Sequence, residues 1–388
     1  MKNILTLNKI AACGTDLFDK AAYTVGDAVE NPTGILVRSA AMHEMELPES
    51  VLAIARAGAG TNNIPVDKYG EAGVVVFNTP GANANAVKEL VLCGLFLASR
   101  KVTDGIAWAQ SLKDEGDMVG KLVEKGKSQF VGPEILGKKL GVIGLGAIGG
   151  MVANAADALG MDVYGYDPYM SVQAAWGLNP SIHQVSDMAE IFKTCDYITL
   201  HVPCLDSTKG MINAETMATM KDGVRILNFA RGELVNNTDM IAALESGKVA
   251  RYVVDFPKAD ILGVANVVPL PHLGASTPES EDNCAVMAAK ELIDYIENGN
   301  IVNSVNYPNV AGPRCSPCRV CVLHKNEPGL IAKISAVMSE DKINVESMLN
   351  RSRKELAYSV LDVDSVVSEA VLADVAAVEG VIRVRCIV

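Results

Sequence analysis

Apolar and polar positions along the chain follow two alternating patterns. Short apolar runs closed by Gly, Asn, Asp or Pro read as buried strands, and between them lie longer stretches with helical spacing. After the opening run "MKNILTL", the strand-like runs up to about residue 90 are "GILVRS", "VLAIARAG" and "GVVVFNTP". From about 91 to 275 the clearest are "KLGVIGLG", "MDVYGYD", "CDYITLHVP", "VRILNFA", "RYVVDF" and "NVVPLPH". Strands that are apolar on both faces and alternate with helices form parallel sheets through right-handed crossovers. The pattern therefore predicts α/β architecture with two doubly wound parallel-sheet domains.

Beyond residue 275, "SEDNCAVMAAKELIDYIENGN" reads as a helix and "IVNSVNYPNVAGPRCSP" as a Pro- and Gly-punctuated connection. Residues 318–388 then run strand, helix, strand, strand, helix, strand. This βαββαβ order predicts a small α+β domain with helices on one face of an antiparallel sheet. The expected boundaries are a first domain of 1–90 completed by 276–307, a second of 91–275, a linker of 308–317 and a third domain of 318–388.

Composition narrows the function. At 388 residues the chain is long enough for two or three domains, and 49% hydrophobic with 21% charged residues is ordinary for a globular protein. A net charge of -12 gives no basis for expecting nucleic acid as a partner. The longest apolar run, "LVLCGLFLAS", falls short of the ~20 residues that span a bilayer, so no membrane association is expected. Nine cysteines without an export signal point to reduced thiols in the cytoplasm. Three of them, Cys315, Cys318 and Cys321, have C-x-x-C-x-x-C spacing, but a fourth ligand is not evident and no metal is expected.

In "KKLGVIGLGAIGG" the residues Gly144, Gly146 and Gly149 have G-x-G-x-x-G spacing between a strand and a helix. The first glycine permits a tight turn, the second a close approach of backbone to pyrophosphate, and the third close helix–strand packing. The next strand ends in Asp167, where a carboxylate accepts hydrogen bonds from ribose hydroxyls. No Arg or Lys follows in "PYMSV" to hold a 2′-phosphate, which favours NAD over NADP. Arg231 in "NFARG" and His272 in "PHLGAST" also fall at strand ends, where ligands bind in open α/β sheets. The guanidinium could bind a carboxylate or serve a structural ion pair. A lone strand-end histidine could be either catalytic or structural.

Taken in order, the glycine motif, "LHVP", "NFARG" and "PHLGAST" resemble the D-isomer-specific 2-hydroxyacid dehydrogenase family over almost all of residues 30–310. The first segment ("ILVRSA", "ARAGAGTNNI", "FNTPGAN") resembles the members acting on phosphoglycerate, and the last resembles an ACT regulatory domain. The resemblance implies NAD-dependent oxidation of 3-phospho-D-glycerate to 3-phosphohydroxypyruvate, the first step of L-serine biosynthesis. In that scheme Arg231 grips the substrate carboxylate and C2 oxygen, and His272 exchanges the hydroxyl proton. Arg38 and Ser39 correspond to the phosphate-binding positions, with Arg56, Ala59, Gly60 and Asn83 lining the substrate pocket. Cofactor positions are Gly144, Gly146, Ala147, Ile148, Gly149, Asp167, His201, Val202, Pro203, Ala230, Asp255 and Gly274. His324, Asn326 and Asn344 correspond to an effector site that takes L-serine in many relatives. A homodimer or homotetramer is also implied. A dehydrogenase of another D-2-hydroxyacid and an NAD(H)-sensing binding protein are the alternatives.

The chain departs from the family in "DFPKAD". The glutamate that pairs with the catalytic histidine is absent, and no Glu occurs between Glu245 and Glu279. Asp260 lies near the expected place. Two expectations follow: Asp260 partners His272, or His272 works unpartnered with Lys258 or water compensating.

Overall fold

The computed structural model describes residues 1–388, which divide into two compact units: Met1–Asn83 with Pro278–Val388, and Ala84–Thr277. In the first unit, strands β1 (Lys2–Leu7), β2 (Tyr23–Gly26), β3 (Gly34–Val37), β4 (Ala53–Arg56) and β5 (Val75–Phe77) form a parallel sheet ordered β2-β1-β3-β4-β5. One face packs on the helix Pro278–Asn298, whose Ala288, Leu292 and Tyr295 meet Ile4, Leu36 and Ala55. The opposite face is covered by Met42, Ile64 and Tyr69, which explains why β3 is buried along its whole length.

The second unit carries the larger sheet. Strands β6 (Lys139–Ile143), β7 (Asp162–Tyr166), β8 (His183–Gln184), β9 (Tyr197–Leu200), β10 (Val224–Asn228), β11 (Val249–Val254) and β12 (Val267–Pro269) are all parallel, ordered β12-β11-β10-β9-β6-β7-β8. The order reverses beside β6, the switch point at which open α/β sheets bind ligands. The sequence boundary near 90 falls inside a single helix, Ala84–Ser99. That helix belongs to the second unit because Val87, Val91 and Leu95 pack on Leu140, Leu227 and Val253.

Strands β13 (Cys318–Lys325), β14 (Val345–Arg353), β15 (Leu356–Val363) and β16 (Val381–Ile387) form an antiparallel sheet ordered β14-β15-β13-β16. Helices Leu330–Glu340 and Glu369–Ala377 cover the face that presents Val320, Val322 and Leu361. The opposite face continues the core of the first unit: Cys321, Leu323, Tyr358 and Val360 pack with Tyr295, Ile296 and Tyr307. Residues 308–317, read as a linker, are tied down as well. Val310 pairs with Ile301, and Arg319 donates to the carbonyls of Gly312 and Pro313. A sheet whose free face is apolar must be covered, and here the cover is the first unit's own core.

Candidate active site

The glycine turn follows β6 directly. Gly144 has φ +92°, and its N–H reaches the Tyr166 carbonyl at 2.8 Å. A Cβ on Gly149 would lie 1.8 Å from the Gly144 oxygen, so no side chain fits there. Gly146, by contrast, faces open space and begins the helix Ala147–Ala158. A helix N-terminus reached over a bare backbone is suited to an anionic pyrophosphate. The Asp167 carboxylate accepts the N–H groups of Leu145 and Tyr169, each at 2.9 Å. A carboxylate has about four acceptor sites, leaving lone pairs for ribose hydroxyls. The donors and the bare turn therefore fit a dinucleotide.

His201 lies beside this turn: its backbone oxygen would meet a Cβ on Gly144 at 2.6 Å. Its Nε2 pairs with Thr199 Oγ1 at 3.0 Å, and burial pushes its pKa down to about 3, so the ring is neutral. Val202 also touches the Gly144 position, and Pro203 accepts from the Thr208 hydroxyl. Ala147 and Ile148 form the first turn of the helix beside the glycines.

At the ends of β10, β11 and β12 a second group converges. Asn228, fully buried at the end of β10, accepts from the Ala230 N–H and donates to the Arg231 carbonyl. It thereby sets the turn from which the exposed Arg231 projects. The Arg231 guanidinium lies 5.6 Å from the Phe256 ring centroid, and the His272 ring lies 4.3 Å from the same centroid. Phe256 is thus a shared floor for the two candidate catalytic groups. A cavity of about 440 Å³ opens here, lined by Glu233, Asp255, Phe256, Lys258 and His272 among others.

His272 has φ +53°, in the left-handed region that a non-glycine residue seldom occupies. Asp255 holds the turn that follows. Its buried carboxylate accepts the N–H of Leu273 at 2.8 Å and of Gly274 at 3.0 Å. Burial raises the Asp255 pKa, while those two N–H groups and the nearby imidazole act to lower it. Gly274 sits close to that carboxylate: a Cβ there would meet Asp255 Oδ2 at 3.2 Å, a tight contact. Asp255 and Gly274, expected to line the cofactor, hold the His272 turn in the structure, which leaves that expectation open.

The expected Asp260–His272 pair is not formed. Asp260 sits in the short 3-10 turn Ala259–Ile261, and both its oxygens accept from Asn237 Nδ2, at 2.9 and 3.0 Å. The shortened loop turns that carboxylate toward the helix starting at Asn237. The acids that line the cavity are instead Glu233 and Asp255, and Glu233 lies 3.8 Å from Lys258. Sequence reasoning missed Asn228, Phe256 and Glu233. A polar residue inside the apolar run "RILNF" was the available signal for Asn228.

In the first unit, the substrate candidates cluster at the C-terminal ends of β3 and β4. Arg56 Nε donates to the Arg38 carbonyl at 3.1 Å, and its guanidinium lies across Gly58, where a Cβ would come within 2.1 Å. Burial lowers the Arg56 pKa. Asn8 Oδ1 accepts the Ser39 N–H, and Ala59 accepts from Asn78 Nδ2, with Gly60 following in the same turn. Arg38 itself is held by Glu281 at 2.6 Å, with both side chains nearly half exposed. Asn83 is the last residue of this segment of the unit and is partly buried.

The three effector candidates are not together within the chain. His324 is buried, with Nδ1 near the Lys325 carbonyl and Nε2 near Ser359 Oγ at 2.9 Å. Asn326 follows it and donates to the Lys354 carbonyl. His324 pairs with Ala357, whereas Asn344 precedes Val345, which pairs with Val363. Six residues of strand separate these registers, on the order of 20 Å. The cysteines also diverge. Cys315 donates to Asp362, Cys318 packs under the helices, and Cys321 faces the first unit's core.

Residues 95–274 match the family described as D-isomer specific 2-hydroxyacid dehydrogenase, NAD binding domain, and residues 320–383 match the AHAS small subunit-like ACT domain. The chain is 30% identical to the D-3-phosphoglycerate dehydrogenase of Haemophilus influenzae, over 98% of this chain and 93% of that protein. It is 31% identical to the protein of the same name from Escherichia coli (strain K12), over 87% of this chain and 82% of that one. Among solved structures it is similar to an NAD+-bound 3-phosphoglycerate dehydrogenase from Entamoeba histolytica, at 25% identity and TM-score 0.56, covering 78% of this chain and 98% of that one. A glyoxylate reductase from Paecilomyes thermophila is similar at 26% identity and TM-score 0.63, with the same coverage.

Proposed function

Because the chain belongs to the D-isomer specific 2-hydroxyacid dehydrogenase family, an NAD-dependent enzyme family, we propose that it oxidises 3-phospho-D-glycerate to 3-phosphohydroxypyruvate. This is the first step of L-serine biosynthesis. The observation that carries the chemistry is the convergence of Arg231 and His272 on the Phe256 ring beside one cavity.

NAD, when bound by the Gly144–Gly149 turn and Asp167, supplies the hydride acceptor. The chain's own groups do the rest. Arg231 binds the substrate carboxylate and polarises the C2 oxygen, where a fixed cation stabilises charge as it develops. His272 Nε2 or Nδ1 takes the hydroxyl proton as the C2–H bond breaks and returns it in the reverse reaction. General acid/base assistance of this kind contributes ~10²–10⁴-fold. In the first unit, Arg38 and Ser39 are the phosphate-binding residues of this reading, with Arg56 and the amides near Ala59 and Gly60 as further substrate contacts.

The two closely similar relatives that carry the phosphoglycerate name support this substrate. One observation favours a second reading, an unphosphorylated D-2-hydroxyacid: Arg38 is already engaged by Glu281. NADH oxidation with 3-phosphohydroxypyruvate, pyruvate, glyoxylate and hydroxypyruvate separates the two. The phosphorylated acid is expected to have the highest kcat/KM, and preference for the others overturns the assignment. The ACT match supports an amino-acid effector such as L-serine for this domain. Because His324 and Asn326 lie apart from Asn344 within one chain, a site that uses all three needs a second copy. A response of rate or Tm to millimolar serine tests that role, and no response removes it. A homodimer or homotetramer is part of the same reading.

A further inference from the structure

At the edge of the antiparallel sheet, β14 ends in a basic hairpin tip, "NRSRKEL". Arg351 and Arg353 are two residues apart on one strand and so project from the same face. With Asn303, Ser304, Asn309 and Ser352 they line a cavity of about 580 Å³. No Asp or Glu lines it, and neither arginine takes part in an ion pair. In a chain of net charge -12, two arginines without a carboxylate are unexpected.

The cavity is also rich in free donors. Arg353 spends one N–H, from Nη1 to the Ser304 carbonyl at 2.7 Å, out of the five a guanidinium carries. Arg351 makes no hydrogen bond within the protein, and neither do the side chains of Ser352 and Asn309. Glu291, the carboxyl bonded to the cavity wall through Asn303, is turned inward. Asn303 Nδ2 donates to its Oε1 at 2.7 Å, and burial pushes its pKa up to about 8, so it does not neutralise the arginines at neutral pH. Two guanidinium forks with a hydroxyl and an amide suit a compact, doubly charged oxyanion.

The geometry points to a binding site for phosphate or a phosphate monoester at Arg351 and Arg353, which we infer to be separate from the substrate residues near Arg38. Its wall is connected to the substrate loop by hydrogen bonds. Ser304 pairs with Phe77, the Asn78 N–H reaches the Asn303 carbonyl, and Asn78 Nδ2 holds the Ala59 carbonyl. An occupant that draws the hairpin tip against residues 303–309 therefore acts on the support of that loop.

The test is isothermal titration of the full chain carrying Arg38→Ala, which silences the candidate phosphate position near the substrate. Inorganic phosphate, glycerol 3-phosphate and malonate are compared at matched ionic strength. One equivalent of phosphate or its monoester is expected to bind, at least 10-fold more weakly once Arg351→Ala is added. Because Arg351 bonds to nothing in the protein, that variant is expected to keep the parental Tm. Tighter binding of the monoester than of phosphate identifies a phosphorylated metabolite as the ligand, and the reverse order identifies free phosphate. Unchanged affinity in Arg351→Ala, absence of binding at millimolar phosphate, or tighter binding of malonate overturns the inference.

Discussion

Left-handed backbone at a residue other than glycine costs on the order of 1–3 kcal/mol, and at His272 the following turn is held by Asp255. Each Asp255 oxygen takes one N–H, a role the single oxygen of asparagine cannot fill. Asp255→Asn is expected to leave one N–H facing a donor, at a cost of roughly 1–3 kcal/mol. The measurement is denaturant unfolding alongside kcat, and both are expected to fall. Asp260 carries the opposite expectation. Its carboxylate is engaged by Asn237, so Asp260→Asn should leave the acidic limb of the pH–rate profile in place. A displaced limb would return that carboxylate to His272 as its partner.

Between elements, the strongest ties join the antiparallel sheet to the helix Pro278–Asn298. Arg319, on β13, pairs with Asp362, on β15, at 2.6 Å with both side chains almost fully buried, and it donates to the Asn298 carbonyl at the helix C-terminus. Arg385 stacks on Tyr295 and donates to the Ile296 carbonyl. Cations at a helix C-terminus also oppose its negative dipole end. Arg319→Met strands a buried carboxylate and is expected to cost about 3–5 kcal/mol, whereas Arg319→Met with Asp362→Leu should cost much less. Burial acts to raise the Asp362 pKa, but the Arg319 and Cys315 contacts outweigh it, leaving the folded value lowered. Its stabilisation is therefore complete above the unfolded value near 3.8 and is lost as pH falls through the folded one. Glu291 has the opposite sign. With a folded pKa pushed by burial from 4.5 to about 8, it makes stability decline as pH rises between those values. Glu291→Gln is expected to flatten that decline, raising Tm at pH 8 and leaving it little changed at pH 4.5.

For the whole molecule, the least buried region is the segment Val102–Phe130, whose helical turns bury no residue and leave Val102, Ile106 and Met118 exposed. Apolar surface of this kind is characteristic of an interface. Sedimentation equilibrium is expected to give a dimer or tetramer, and Ile106→Lys should shift it toward monomer; a monomeric parent chain overturns the oligomer reading. The sequence alone determined the sheet class, the glycine turn and the βαββαβ order, because periodicity and glycine geometry are local properties of the backbone. It also singled out Arg231 and His272, which end apolar runs. Tertiary structure alone decided which acid stands near His272. That depends on how a shortened loop closes, and there Asn237 takes Asp260 while Asp255 clasps the turn. It likewise decided that residues 318–388 share a core with the first unit. Composition shows that a sheet face is apolar, but only packing shows what covers it.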